Sequence, residues 1–295
     1  MQKLPDLHVL VDEPLKNHTT FRIGGAADYL ITPSEEQLPA VLAIAKEHEL
    51  PVTVIGNGSN LLVSDRGVRG VVLEIAKSMS GVTVDGNYID AQAGALLAKV
   101  AGAAAEHGLS GLEFAAGIPG SMGGAVVMNA GAYGGEMKGG LVFVKILTAE
   151  GDILTIPAEE MDLSYRHSCV PEKGYIVLGA RMLLHPAPEA QIRAQMAELR
   201  EKRIEKQPLE YASAGSTFKR PEGYFAGKLI MDAGLRGYRV GDAQVSEKHC
   251  GFVINRGNAT AAEVMQLVHD VQQKVYEQFQ VRLEPEIKKI GEWEL

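Results

Sequence analysis

The chain is poor in cysteine and tryptophan, with two and one among 295 residues, and aromatics make up only 6%. Two cysteines, Cys169 and Cys250, form neither a C-x-x-C pair nor a disulfide framework, and both read as small buried apolar residues. There is no excess of positive charge: a net charge of −8 argues against general nucleic-acid or anionic-membrane binding, so an anionic ligand has to be held by local charge. No long apolar run is present. The opening MQKLPDLHVLVDEPLK lacks the basic and continuous apolar regions of a signal peptide, and the Ala93–Ala105 stretch is too short to span a bilayer and is interrupted by Lys99. H-E-x-x-H and G-x-x-x-x-G-K-[ST] are also missing, which disfavours a zinc enzyme and a P-loop kinase.

What the chain has in quantity is glycine, gathered in two places. GIPGSMGGAVVMNAGAYGGE, Gly117 to Glu136, sets glycines around small apolar residues after a Pro119-Gly120 turn. Such a segment either joins tightly packed strands or lets backbone approach a phosphate-bearing cofactor; the residues alone leave both open. Upstream, Val52–Ile55 reads as a buried strand, Gly56-Asn57-Gly58-Ser59-Asn60 as a tight loop, and Leu61–Val63 as a second strand. The loop is not a dinucleotide fingerprint, because Leu61 stands where the third glycine of G-x-G-x-x-G belongs and no helix follows. A strand-loop-strand turn of this composition can still present several N–H groups to a pyrophosphate.

The remaining elements follow from spacing. An irregular arm leads through Asn17–Arg22 to a strand near Tyr29–Ile31. A helix over Glu35–His48 opens with Ser34 and Gln37 as a capping box, although Pro39 makes its start uncertain. Val71–Ile75 is a strand, and Val82–Val84 with Tyr88–Gln92 is a hairpin. Leu96, Leu97, Val100 and Ala104 mark one face of a helix. Strands are expected over Leu141–Thr148, Ile153–Ile156 and Tyr175–Leu184. Pro186 and Pro188 precede a charged helix, Glu189–Lys206, with Ile192, Met196 and Leu199 as its apolar stripe. Beyond it come a helix near Ala226–Ala233, a strand over Gly251–Asn255, a helix capped by Thr260 and Glu263, and a last strand over Arg282–Ile290. The class is α+β.

Five motifs in order, IGNGSNLLVSD, GLEFAAGIPGSMGGAVVMNAGAYGGE, LSYRHS, AGSTFKRP and LEPEIKKIG, resemble the UDP-N-acetylenolpyruvoylglucosamine reductase (MurB) family from about Asn17 to Gly291. The resemblance implies an FAD-binding part like that of p-cresol methylhydroxylase, in two lobes over residues 1–75 and 76–187. A smaller substrate-binding domain over 188–295 follows, its last strand returning toward the flavin. It also implies reduction of FAD by NADPH, then of the enolpyruvyl ether of UDP-N-acetylglucosamine, in peptidoglycan precursor synthesis in a bacterial cytosol. UDP-sugar and NADPH are the expected partners, with no nucleic acid, membrane insertion or evident obligatory protein partner.

On this resemblance Gly56, Asn57, Gly58, Ser59 and Asn60, with Gly117, Ile118, Pro119, Gly120 and Ser121, wrap the cofactor; Gly123, Gly124, Asn129, Ala130, Gly131 and Ala132 lie nearby. Ser216 matches the family's proton donor, Arg166 a substrate-carboxylate contact, and Glu286 a residue that either pairs with Arg166 or assists in stabilising the protonated acid form of the intermediate. Tyr133, Tyr165, Lys219, Arg220, Arg203 and Lys206 are the expected contacts to the rest of the substrate. The chain departs from some members in two ways: only Cys169–Gly174 separates the YR motif from the next strand, where they carry a tyrosine-bearing insertion, and Arg220 stands where they have asparagine. This places it with the shorter branch. Two other classes compete: a flavin oxidase or dehydrogenase of the same superfamily, which would place a histidine or cysteine for covalent flavin attachment, and a catalytically silent nucleotide-binding protein.

Overall fold

The computed structural model describes Leu4 and residues 6–293. The chain forms two compact units. The first takes the described residues to Leu10, then Leu30–Asn57 and Val72–Arg203; the second takes Val11–Tyr29, Gly58–Val71 and the chain from Ile204 onward. These units cut the chain differently from three consecutive spans ending at 75, 187 and 295. The reason is pairing at long range. Strand Lys288–Ile290 runs parallel to strand β4 (Leu61–Val63), which ties an N-terminal segment to the C-terminal part of the chain.

The opening arm is not irregular throughout: β1 covers His8–Pro14, while residues 1–3 and 5 of the same segment lie outside the described residues. β2 (Ala26–Thr32), β3 (Val52–Ile55) and β5 (Val68–Glu74) join it in a sheet of order β1-β2-β5-β3. Helix α1 begins at Leu38, later than its sequence suggests, because Pro39 is accepted only in the first turn. Only half of the expected box forms there, with Ser34 N–H donating to Gln37 Oε1 at 2.9 Å.

In the first unit, β6 (Val82–Asp85) and β7 (Tyr88–Gln92) form the expected hairpin. They extend a five-stranded sheet of order Ile153–Pro157, Leu141–Leu147, Ile176–Leu183, β7, β6. Helix α2 (Leu97–Glu106) buries Leu97, Val100 and Ala104, whereas Leu96 precedes it in extended conformation and is exposed. A short helix, α3 (Met122–Val127), lies within the second glycine segment. Helix α4 spans Glu189–Lys206 as expected, but of its stripe only Ile192 is fully buried; Met196 and Leu199 are half-buried.

The second unit carries a four-stranded antiparallel sheet in the order Ala212–Ser216, Phe252–Asn255, Ala243–Val245, Arg239–Val240. Helix α5 covers Ala226–Asp232, and α6 covers Ala261–Phe279 with Val264, Leu267, Val268, Val271 and Val275 all buried. At roughly 1.5–3 kcal/mol for each buried aliphatic side chain, that stripe is a principal contribution to this core. The capping box of α6 is complete, Thr260 accepting from the Glu263 N–H and Glu263 from the Thr260 N–H. Asp65 caps the same end from a distant part of the chain, its two oxygens accepting from Ala261 and Ala262 N–H at 2.8 and 2.9 Å. The last strand is shorter than expected. Residues Arg282–Ile287 lie outside it, Pro285 having no N–H to give to a ladder.

Candidate active site

The expected site residues divide between the two units, and each set has its own internal geometry. In the first unit the two glycine regions meet: Asn57 Nδ2 donates to the Pro119 carbonyl at 2.7 Å. Gly56 stands against Ser121, where a Cβ at position 56 would lie 2.3 Å from Ser121 Oγ. The end of the Gly117–Ser121 turn is pinned beside α2, with Leu97 N–H donating to Gly120 O at 3.0 Å and Met122 N–H to Ala95 O at 2.8 Å. Gly123 follows because a Cβ there would meet Ala93 Cβ at 3.0 Å; Gly124 lies in the same short helix, beside Ser121. Ile118 closes the preceding turn onto the Ala115 carbonyl at 3.0 Å.

The Ser121 hydroxyl is buried and has no hydrogen-bond partner among the described residues. An unmet hydroxyl in a glycine-lined cradle is the donor that a phosphate oxygen requires, so these residues fit a pyrophosphate-bearing cofactor.

Downstream, Ala130 N–H donates to Ala125 O, and Gly131–Ala132 turns back on Gly135–Glu136 as a small hairpin. Tyr133, at its tip, has a left-handed φ of 52° and is exposed. Asn129 is fully buried with its amide spent on protein: it donates to Ser164 O at 3.1 Å and Glu136 Oε2 at 3.2 Å, and accepts from Lys138 N–H at 2.9 Å. Asn129 therefore holds the turn that carries Tyr165 and Arg166. That turn is closed by reciprocal bonds between Ser164 and His167. Arg166 lies in it at φ 56°, donates through Nη2 to Gly131 O at 3.2 Å and sits 4.9 Å over the exposed Tyr165 ring.

Arg203 reaches the glycine turn from α4. A Cβ on Gly117 would stand 3.2 Å from Arg203 Nη1, so glycine there makes room for the guanidinium. Burial pulls the Arg203 pKa down, and Tyr133 opposes the shift. The guanidinium remains charged, and it has no carboxylate partner among the described residues. Lys206, one turn on, is exposed.

In the second unit, Gly58 takes φ 60°, and a Cβ there would lie 2.1 Å from His18 O. Ser59 follows, and Asn60 brackets Glu286: its Nδ2 donates to the Glu286 carbonyl at 3.2 Å, and its own carbonyl accepts from Lys288 N–H at 2.8 Å. Strand Ala212–Ser216 pairs with Phe252–Asn255 with a register shift between Ser213 and Ser216, and Gly215 takes φ 76° there. Such a bulge re-aims the side chain after it, and Ser216 is exposed.

Thr217 joins three segments. Its N–H donates to Gly251 O at 2.8 Å, its carbonyl accepts from Glu286 N–H at 2.8 Å, and its Oγ1 accepts from Val253 N–H at 2.9 Å. Ser216, Glu286 and the Gly58–Asn60 turn thereby come to one part of this unit. Phe218 bridges Pro285, Lys219 Nζ donates to Glu284 Oε1 at 2.5 Å, and the Arg220 guanidinium lies 4.0 Å over the Phe225 ring. Sequence reasoning missed Thr217 and Asp65, because the partners of both lie far along the chain.

No expected site residue lines the open cavity of about 680 Å³ beside Lys16, Arg22 and Thr260. The helix end that it exposes is already taken by Asp65, which removes the obvious anion-binding group.

Comparison with known proteins agrees with the motif order. Residues 27–157 match the FAD binding domain family, and residues 207–290 match the C-terminal domain of UDP-N-acetylenolpyruvoylglucosamine reductase. A protein of that name from Agathobacter rectalis is 62% identical, over 99% of this chain and 97% of its own length. One from Clostridioides difficile is 49% identical over 96% and 94%. The solved reductase of Thermus caldophilus superposes with a TM-score of 0.83 at 39% identity, covering 96% of this chain and 98% of its own. With that identity over nearly the whole length, in both parts and in the fold, the chain belongs to the UDP-N-acetylenolpyruvoylglucosamine reductase family.

Proposed function

We propose that this protein is an FAD-containing reductase that uses NADPH to convert the enolpyruvyl ether of UDP-N-acetylglucosamine into UDP-N-acetylmuramate, a peptidoglycan precursor. The observation that carries the reading to this chain's own residues is the Thr217 junction, through which Ser216 and Glu286 are held on adjoining backbone. A cytosolic setting in a bacterium and a role in cell shape and division belong to the same proposal. Among the described residues no helix is long and apolar enough to cross a membrane.

FAD, when bound, supplies the redox centre that accepts reducing equivalents from NADPH and delivers them to the substrate. The turns Gly56–Asn60 and Gly117–Ser121 would hold its pyrophosphate with backbone N–H groups and the Ser121 hydroxyl. Arg203 adds a cation close to Gly117.

The remaining chemistry is the chain's own. Reduction of the vinyl carbon leaves negative charge on the carbon next to the carboxylate, where it delocalises into that carboxylate. The Arg166 guanidinium offers it a planar, paired contact. The Ser216 hydroxyl gives its proton to that carbon. Serine is a weak acid in water, and it suffices here because the acceptor is strongly basic and the bulge at Gly215 fixes the hydroxyl's direction. Glu286 stands on the segment joined to Ser216 through Thr217 and assists in stabilising the intermediate. Lys219, Arg220, Lys206, Tyr133 and Tyr165 are assigned to the nucleotide and sugar.

The test is the visible spectrum of the FAD-loaded protein under anaerobic titration. Flavin bands that bleach with NADPH and return with the enolpyruvyl substrate support the proposal. Bleaching without return would remove the substrate, and a protein that takes up no FAD would remove the whole reading.

A further inference from the structure

One half-buried histidine in the second unit is used by none of the chemistry above, and it lies behind the serine loop. His249 Nδ1 accepts the Gly251 N–H at 3.1 Å, which puts the ring proton on Nε2. The Gly251 carbonyl in turn accepts the Thr217 N–H at 2.8 Å. Phe252, the next residue, is the strand partner of Ser216, gives its own N–H to His249 O at 3.0 Å and meets the imidazole edge-on at 5.0 Å between ring centres. The ring is seated against two glycines: a Cβ on Gly251 would come within 2.9 Å of His249 Cε1, and one on Gly227 within 3.3 Å. Ser246 Oγ closes the turn from the other side, accepting the Lys248 and His249 N–H groups at 3.2 Å each.

We propose that His249 is a positioning residue for Ser216, its Nδ1 fixing the Gly251 peptide whose carbonyl and following residue set the backbone on which the serine hydroxyl is carried. This inference rests on the reading of Ser216 as proton donor. A protonated ring would turn an N–H toward the Gly251 N–H, placing two donors face to face and breaking the bond. Burial lowers the His249 pKa below its ordinary value, which keeps the acceptor available at neutral pH. The charged and titratable groups on the surrounding elements are directed elsewhere. Arg236 donates to the Glu247 carbonyl, Lys248 Nζ to Ile204 O at 2.7 Å, and Lys228 pairs with Asp232 at 2.7 Å. Cys250 is buried beside the turn with its thiol pKa raised by that burial.

The experiment compares the FAD-loaded wild type with His249→Phe, which keeps a flat ring without an acceptor, His249→Asn, whose Oδ1 can replace Nδ1, and Ser216→Ala. Flavin bleaching by NADPH and flavin return on addition of the enolpyruvyl ether are timed separately between pH 5 and 8. For both His249 variants, bleaching stays within about twofold of wild type. His249→Phe slows the return by roughly 10- to 100-fold, and His249→Asn restores it to within about threefold, because geometry at a proton donor acts on the step that uses it. As pH falls and the His249 ring takes up a proton, wild type is expected to lose return rate, and His249→Asn, which has no ring to protonate, is expected not to show that loss. Wild-type return rates in His249→Phe, or an unchanged acid limb in His249→Asn, would overturn the positioning role. If His249→Phe does not fold, the acid limb in His249→Asn decides the matter. Failure of the underlying reading looks different: wild type would not return with the substrate, or Ser216→Ala would return at the wild-type rate.

Discussion

Gly56 and Ser121 contend for one volume. A Cβ on Gly56 would stand 2.3 Å from the Ser121 hydroxyl oxygen, and that buried hydroxyl has no partner among the described residues. The glycine is explained by the serine, and the serine by a ligand still to be supplied from outside the chain.

Ser121→Ala separates these roles. Removing an unmet buried hydroxyl leaves the cofactor-free protein as stable as before or slightly more so. It also removes a donor to a charged phosphate, worth about 1.5–3 kcal/mol, so FAD affinity falls by roughly 10- to 150-fold. Thermal melts without FAD and fluorescence titration with FAD check the two halves; an unchanged dissociation constant would return Ser121 to a purely structural role.

Ser216→Ala keeps the flavin bound and reducible by NADPH, while return of the flavin bands with the enolpyruvyl substrate slows by about 10²- to 10⁴-fold, the usual worth of a positioned proton donor. Stopped-flow absorbance reads both half-reactions. Equal loss in the two would refute the donor role.

Thr217→Val leaves the Val253 N–H without its acceptor inside the second unit. An orphaned buried donor costs about 1–3 kcal/mol, so thermal stability drops; Thr217→Ser, which keeps the oxygen, recovers most of it. Return of the flavin bands falls with stability in the first variant and recovers in the second. Melting curves and half-reaction rates on the same preparations make the comparison.

Asn129→Ala removes three hydrogen bonds from a fully buried side chain and leaves a non-glycine residue at φ 39°. We expect a loss of about 2–4 kcal/mol and, with the Arg166 turn loosened, a higher KM for the enolpyruvyl substrate at unchanged flavin reduction. Denaturant melts and steady-state kinetics test it.

The Tyr238 hydroxyl donates to Asp270 at 2.6 Å, lowering the Asp270 pKa and raising that of Tyr238. A depressed carboxyl stabilises the fold above its unfolded pKa, and the gain is lost as pH falls through the folded value. A raised phenol stabilises it below the unfolded pKa near 10, and that gain is lost as pH rises through the folded value. Tyr238→Phe therefore flattens the melting temperature against pH at both the acid and the alkaline edge.

Much of this was legible before any coordinates. The helix over Glu189–Lys206, the capping box at Thr260 and Glu263, the buried stripe of α6 and the β6–β7 hairpin all answer to local spacing, and the structure places them as read. The failures are also local in cause. Leu96 fits the α2 periodicity but precedes the helix, Pro39 delays α1, and Pro285 keeps Arg282–Ile287 out of the last strand. The five motifs marked the family to which the chain belongs.

By itself the sequence determined turns, the capping box of α6 and the buried face of that helix, because each depends on neighbours within a few positions along the chain. Only the tertiary structure decided which of them meet. Asn60 reaches Glu286 across 226 positions and Asp65 caps α6 across 196, while Thr217 joins Gly251 to Glu286. Those bonds depend on closing long loops, whose ends are chosen by packing and not by any local pattern.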